Sequence, residues 1–261
     1  MQDTMVTVRN GMFEARVRTD GSGAPLLFLH GAGGLRSWDP FLQALARQYT
    51  VYAPAHPGFE TSTGLDHIDD MLDMVIYYND LLDALGLDSV HVVGHSLGGM
   101  IAAELAAVSP HRVRKLVLAN AVGLWLDTHP VADFFAMTPD QLALALWHDP
   151  NTDIAKAMMA TPQDEHAQLE AYLLRMQHLA TAGKFLWPIP DKGLKKRIHR
   201  IQAPTLILWG QSDGLTPAIY AQAFQQAIQG SQVTIMPRCG HMPMYEDPAG
   251  FVQTVSGFLQ A

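Results

Sequence analysis

Val90-His91-Val92-Val93-Gly94-His95-Ser96-Leu97-Gly98-Gly99 is the stretch of this 261-residue chain whose reading decides the fold. The apolar run predicts a buried strand. Gly94 and Gly98, two positions either side of Ser96, predict a tight bend at which the chain passes close to itself. A helix starting at Leu97 would aim its free N–H groups and the positive end of its dipole at the serine hydroxyl. Negative charge forming beside Ser96 would be stabilised there. The pattern is short, however, and a nucleophilic serine needs partners.

A serine hydroxyl becomes a nucleophile when a base takes its proton and a third group fixes the tautomer of that base. Two later sites supply candidates. After the β-branched and aliphatic run 205–209 comes Gly210-Gln211-Ser212-Asp213, and after the run 233–236 comes Pro237-Arg238-Cys239-Gly240-His241. Asp213 and His241 are thereby expected in loops at the carboxyl ends of strands, where open α/β sheets build their sites. Asp127, downstream of Ala119-Asn120, is a second candidate for the acid.

Strand-like runs at 25–29, 50–53, 89–93, 114–119, 204–209 and 232–236 alternate with helical patterns, which predicts a mostly parallel sheet covered by helices on both faces. Segments 5–8 and 14–19 predict an antiparallel entry. Met71, Val75, Tyr78, Leu82 and Leu85 recur at helical steps between Asp69-Asp70 and Gly86, as an amphipathic helix requires. Beyond the elbow, Ala102, Ala103, Ala106 and Ala107 predict a helix lying close to the sheet and stopped at Ser109-Pro110.

From 123 to 200 the strand rhythm gives way to helical sequence rich in methionine and aromatics. Thr138-Pro139-Asp140-Gln141 reads as a capping box. Thr161-Pro162-Gln163-Asp164 reads as another start, with Leu169, Tyr172, Leu173, Met176 and Ala180 as one apolar face before Gly183. Residues 1–122 and 201–261 are expected to form the core domain, and 123–200 a helical cap inserted into it.

With 48% hydrophobic and 16% charged residues, the chain has a substantial core to bury. A formal net charge of −8 argues against nucleic acid or an anionic membrane as partner, and a small-molecule substrate fits better. The single cysteine, Cys239, excludes an intrachain disulfide and a thiolate zinc cluster, so the cytoplasm is the expected compartment. No run of about 18 apolar residues is present to span a bilayer. His91 and His95 stand four apart, but on a strand without a Glu after His91 they read as structural residues. Gly31-x-Gly33 starts like a dinucleotide fingerprint, yet Arg36 stands where its third glycine would be. No metal or organic cofactor is expected. The basic run Lys192, Lys195, Lys196, Arg197 and Arg200 reads as a solvated face, and the oligomeric state stays open, a homodimer included.

The order Ser96, Asp213, His241 is that of the α/β-hydrolase fold. The chain resembles that superfamily along essentially its whole length: at His30-Gly31-Ala32-Gly33-Gly34 after the first buried strand, at the elbow, at Trp209-Gly210-Gln211-Ser212-Asp213, and at Gly240-His241 followed by Glu246-Asp247-Pro248. The resemblance implies an α/β fold with a mostly parallel sheet of about eight strands. It further implies Ser96 as nucleophile, His241 as base, Asp213 as its orienting acid, and the N–H groups of Ala32 and Leu97 as the oxyanion hole. One departure stands out. Where family members often carry Asp-x-x-Gly-x-Gly-x-Ser, this chain reads Ala55-His56-Pro57-Gly58-Phe59-Glu60-Thr61-Ser62, with Glu60 replacing the second glycine.

Trp125, Phe134, Phe135, Met137, Trp147, Trp187 and Met242 are the candidates for an apolar substrate pocket. The expected activity is hydrolysis of a small carboxylic ester through an acyl-enzyme on Ser96. The enzymatic alternative is hydrolysis of a carbon–carbon bond in vinylogous diketones from aromatic-ring degradation. Such enzymes tend to carry Asn before the nucleophile and Trp after the histidine, and His95 and Met242 in those places point to the ester. A slow-turnover ligand receptor and a perhydrolase are further readings of the same residue set.

Overall fold

The computed structural model describes residues 1–35, 37–188 and 190–261; Arg36 lies outside the described residues. Eight strands form one sheet: β1 (Gln2–Val8), β2 (Phe13–Asp20), β3 (Ala24–Leu29), β4 (Tyr49–Pro54), β5 (Val90–His95), β6 (Val113–Ala119), β7 (Thr205–Gly210) and β8 (Gln232–Met236). Their order across the sheet is β1-β2-β4-β3-β5-β6-β7-β8. β1 and β2 pair antiparallel, β2 meets β4 antiparallel, and every later pairing is parallel. The predicted α/β-hydrolase architecture and its antiparallel entry are both present.

The helices are α1 (Pro40–Leu45), α2 (Met71–Ala84), α3 (Leu97–Val108), α4 (Pro139–Leu146), α5 (Asp153–Met159), α6 (Glu165–Leu186), α7 (Ile219–Ala227), α8 (Pro243–Glu246) and α9 (Pro248–Gln260). Two apolar clusters cover the two faces of the sheet. One is built around α2, α3 and α7 against Leu27, Leu29, Val92, Leu116, Leu118 and Trp209. The other joins α1 and α9 to Leu26, Phe28, Val93, Val117 and Leu208. Alternate residues of each strand feed opposite clusters, as the two-residue side-chain period of a strand demands. Among the described residues, no helix is long and apolar enough to cross a membrane.

Between β6 and β7 the chain leaves the sheet and forms α4, α5 and α6. Thr138 and Gln141 make the predicted reciprocal cap of α4. The next start differs from expectation. α6 begins at Glu165, with Asp164 rather than Thr161 as its N-cap, and it runs past Gly183 to Leu186. Its predicted apolar face is turned outward: Leu169, Tyr172, Leu173 and Met176 are exposed, while His178, Thr181, Ala182, Phe185 and Leu186 are buried. Only the carboxyl-terminal half of α6 reaches the rest of the molecule, and there polar residues bond to core loops.

The basic run is likewise not all solvated. Arg197 grips the buried carboxylate of Glu104 on α3 through two hydrogen bonds of 2.6 and 2.7 Å, and Arg200 donates to the Ala107 carbonyl. An ion pair thus moors the end of the insertion to the core helix behind the elbow.

Candidate active site

Parallel register brings the carboxyl ends of five strands together. Leu29 pairs with Gly94, His95 with Ala119, Ala119 with Leu208, and Gly210 with Met236. The loops after β3, β5, β6, β7 and β8 therefore emerge side by side, carrying Gly31–Gly34, Ser96, Asn120, Asp213 and His241.

Ser96 sits at φ 54°, ψ −115°, a backbone conformation that L-residues rarely hold. It persists because its surroundings over-determine it: its N–H donates to Ala119, and its carbonyl accepts from Met100 and Val122. Close approach explains the flanking glycines. A Cβ on Gly94 would collide with the Gly98 carbonyl, and one on Gly98 with the carbonyls of Leu29 and His30. The bend projects Ser96 above the sheet at the start of α3, whose first-turn N–H groups have no intrahelical acceptor. Gly31 lies directly beside it; a Cβ there would fall 3.2 Å from the Ser96 Cβ.

Asp213 is buried and receives five hydrogen bonds. Oδ1 accepts from the N–H groups of Leu215 (2.8 Å) and Thr216 (2.9 Å). Oδ2 accepts from His241 Nδ1 (2.8 Å), Thr216 Oγ1 (2.7 Å) and Asn120 Nδ2 (2.6 Å). Burial pushes its pKa up, but the charge and hydrogen bond of His241, with the Asn120 and Thr216 donors, outweigh it and hold the carboxyl below its ordinary value. A carboxylate at Nδ1 requires the proton there, leaving Nε2 of a neutral His241 with its lone pair. Asp127, the other candidate acid, is exposed and accepts from Trp125 Nε1.

The insertion helps hold both loops. At the end of α4, the Ala145 carbonyl accepts from Gly214 N–H (3.0 Å) and the Leu146 carbonyl from His241 N–H (2.7 Å). Glu246 accepts from Gly240 and His148 N–H, tying α8 to the same corner. Sequence reasoning missed Asn120, Thr216 and these carbonyls. Only Asn120 left a signal, as a polar residue directly after an apolar strand.

His95 donates from Nε2 to the His241 carbonyl at 2.8 Å. Burial first, then the nearness of His241, push its pKa down to about 3, so it is a neutral prop under the loop. His91 and His95 serve different neighbours, with His91 edge-on to Tyr49. Behind the Gly31–Gly34 loop, His56 Nε2 donates to the His30 carbonyl, and His30 Nε2 accepts from His56 N–H. His56 Nδ1 then accepts from the Tyr78 hydroxyl, whose pKa burial drives well above the ordinary phenol value. Cys239 is buried, and burial pushes its thiol up to about 12.

Ser96 and His241 open onto one cavity of about 110 Å³. Of the candidate pocket residues, Trp125, Phe134, Phe135 and Trp187 line it, joined by Val122, Val131, Ala132, Asp133, Leu186, Pro188, Pro190 and Leu215. Met137, Trp147 and Met242 do not. Trp147 is buried at the end of α4, where its neighbours cover Gly240, and Met242 stands at the N-terminus of α8.

A family model described as the alpha/beta hydrolase fold matches residues 24–248. The chain is 29% identical over 273 residues to 2-hydroxy-6-oxo-2,4-heptadienoate hydrolase of Pseudomonas putida, covering 96% of this chain and 94% of that one. It is 30% identical over 277 residues to a 2-hydroxy-6-oxononadienedioate/2-hydroxy-6-oxononatrienedioate hydrolase of the same species, covering 97% and 94%. A crystal structure of a bacterial membrane phospholipase A superposes with a TM-score of 0.83 at 24% identity, over 99% of this chain and 86% of that one, a likeness of fold alone.

These relatives overturn the expectation of an ester substrate. None of the three compounds named for them is an ester, and both matches run nearly end to end. The residues that had pointed to the ester do not line the cavity: His95 is turned to the His241 carbonyl, and Met242 is not among the lining side chains. With the elbow, the strand order and the family match in agreement, the chain belongs to the alpha/beta hydrolase fold family.

Proposed function

We infer that this protein hydrolyses the carbon–carbon bond beside the 6-keto group of a 2-hydroxy-6-oxo-dienoate, with Ser96 as nucleophile, His241 as base and Asp213 as its orienting acid. The observation that carries the reading is the buttressed Asp213–His241 pair opening, with Ser96, onto one apolar cavity lined by Trp125, Phe134, Phe135, Leu186 and Trp187. The named relatives support the substrate class.

The chemistry follows from where charge must go. Ser96 Oγ adds to the 6-carbonyl as His241 Nε2 takes its proton, and the new oxyanion faces the N–H groups of Ala32 and Leu97. With the substrate as its 2-keto tautomer, protonated at C5, collapse breaks the C5–C6 bond. The electron pair runs through the C3=C4 double bond onto the C2 oxygen, which takes a proton. Water, deprotonated by His241, then releases the acyl group from Ser96 as a carboxylic acid. Residues 123–200 act as a cap that keeps the cavity apolar.

The lining also speaks to the group on the ketone. Asp133 is its acidic residue, and no lysine or arginine lines it among the described residues. A methyl or aryl group on the ketone matches the apolar lining of Val131, Phe134, Phe135 and Leu186 better than one bearing a second carboxylate, for which no lysine or arginine partner lines the cavity among the described residues. The test is a panel of 2-hydroxy-6-oxo-dienoates with methyl, phenyl and carboxyethyl groups on C6, followed by loss of the dienol chromophore. Turnover of the first two, abolished in Ser96→Ala with fold retained, is the expected result. A wild-type protein that cleaves none of them, or a Ser96→Ala variant that retains substantial activity, overturns the reading.

A further inference from the structure

Glu60, the residue that departs from the family turn, leads to a device the catalytic groups do not account for. Its backbone is left-handed, at φ 51°, and its carboxylate is taken by Arg18 Nη2 (2.7 Å) and Arg16 Nη1 (3.0 Å). The buried Arg18 also donates to the Leu35 carbonyl, at the end of the loop that carries Ala32. From the other side comes His178 of α6. One imidazole bridges the two loops: Nδ1 bonds the Gly33 carbonyl (3.0 Å) while Nε2 accepts from Glu60 N–H (3.3 Å). The ring packs on Phe59 at 4.9 Å and fills the space a Cβ on Gly34 would need. Gln177 and Thr181, on the same face of α6, bond the Gly58 and Glu60 carbonyls.

The Gly33 carbonyl lies two peptide planes beyond the one that carries the Ala32 N–H, so fixing it narrows how that N–H can turn. The loop has no polar side chain of its own between Gly31 and Gly34. Its first carbonyl, that of Gly31, accepts from Gly34 N–H (3.1 Å) and bonds His30 Nδ1 (2.8 Å), and His178 is what holds the Gly33 carbonyl. An oxyanion donor works through preorganisation, and misplacement by about 1 Å can cost about 10²-fold in rate.

We propose that His178 is a positioning residue that braces the oxyanion-hole loop from the inserted helix α6, working with the Arg18–Glu60 pair, so that the Ala32 donor is aimed only while α6 is seated. The proposal rests on the reading of Ser96 and Ala32 given above, and it adds a role for a histidine that touches no reacting atom.

The test uses a fluorophosphonate probe, which Ser96 attacks at phosphorus with loss of fluoride and which places a P–O oxygen in the oxyanion hole. Inactivation of the full-length protein is followed over a range of probe concentrations, separating the limiting rate from the half-saturating concentration. His178→Ala should lower the limiting rate about 10- to 100-fold with little change in half-saturation. His178→Gln, whose amide can donate to Gly33 and accept from Glu60 at the same spacing, should restore most of it. Thr181→Val, which loses only the bond to Gly58, should label at the wild-type rate. Equal labelling of wild type and His178→Ala, failure of Gln to rescue, or an equal slowing in Thr181→Val overturns the brace while leaving the catalytic reading intact. Absence of Ser96 labelling in the wild type overturns the catalytic reading instead. Should His178→Ala fail to fold, the Gln and Val variants still decide the question.

Discussion

Asn120 Nδ2 lies 2.6 Å from Asp213 Oδ2, the same oxygen that receives His241 Nδ1 at 2.8 Å. Asn120 is fully buried at φ 46°, its N–H bound to the Leu208 carbonyl and its side chain also donating to Gly240. It joins the ends of β6, β7 and β8 around one carboxylate. In Asn120→Ala the Asp213 carboxyl loses a donor that favours its charged form, so its pKa rises. Turnover should fall about 10-fold, the equivalent of one buried hydrogen bond, and the acidic limb of the rate profile should move to higher pH. An unchanged pH profile would remove Asn120 from this role.

Asp213→Asn should keep the fold and lose turnover by about 10⁴-fold. An amide at that position can donate to His241 Nδ1 and stabilise the tautomer whose proton sits on Nε2, which cannot accept from Ser96. Turnover together with far-ultraviolet circular dichroism checks both halves. Activity within tenfold of wild type would place the acid elsewhere.

Gly98→Ala should fail at the level of folding. Its Cβ would meet the backbone carbonyls of Leu29 and His30, neither of which is the end of a flexible side chain. A loss of about 3 kcal/mol or more is expected from denaturant titration, at the upper end of overpacking costs. A variant as stable as wild type would show that α3 can back away from β3.

Arg197→Ala leaves the Glu104 carboxylate, 1% exposed, without its bidentate partner. Stability should drop by about 3 kcal/mol, the lower end of the range for breaking a buried pair, because the Arg197 side chain is itself partly exposed. Adding Glu104→Gln should recover part of the loss by removing the stranded charge. Thermal midpoints of the two variants decide it.

Three histidines set the acid stability. Burial first pushes His56 to about 4 and His95 to about 3, and drives His30 well below the ordinary value of 6.5. Between pH 6.5 and 4 the unfolded chain binds protons that these folded histidines refuse, so stability falls as pH falls. Above about pH 7 they are neutral in both states and add no slope. Urea midpoints should therefore be flat from pH 7 to 8 and decline steadily below 6.5; a midpoint independent of pH from 7 down to 4.5 would contradict the assignment.

Much of the fold was legible because it depends on local pattern. The β-branched runs that became β3 to β8, and the glycines at 94 and 98, each reflect constraints acting within a few residues. The inserted segment was less legible. Leu169, Tyr172, Leu173 and Met176 recur at helical spacing, and periodicity grouped them as one apolar face; they are exposed because α6 touches the core only near its carboxyl end. Met137, Trp147 and Met242 were apolar and in plausible places, yet which apolar residue faces a cavity depends on how helices seat, not on composition.

By itself the sequence determined the strand–turn–helix at Ser96, the sheet class and the places of Asp213 and His241, because tight turns and buried strands impose residue choices that can be read one segment at a time. Tertiary structure alone decided the five donors on Asp213, the α4 carbonyls behind Gly214 and His241, and the meeting of Glu60, Arg18 and His178 at the Gly33 loop. Those contacts join residues up to 145 positions apart. Hydrogen bonds between distant segments depend on distance and angle to a few tenths of an ångström, and such geometry exists only once the packed sheet has set where each loop emerges.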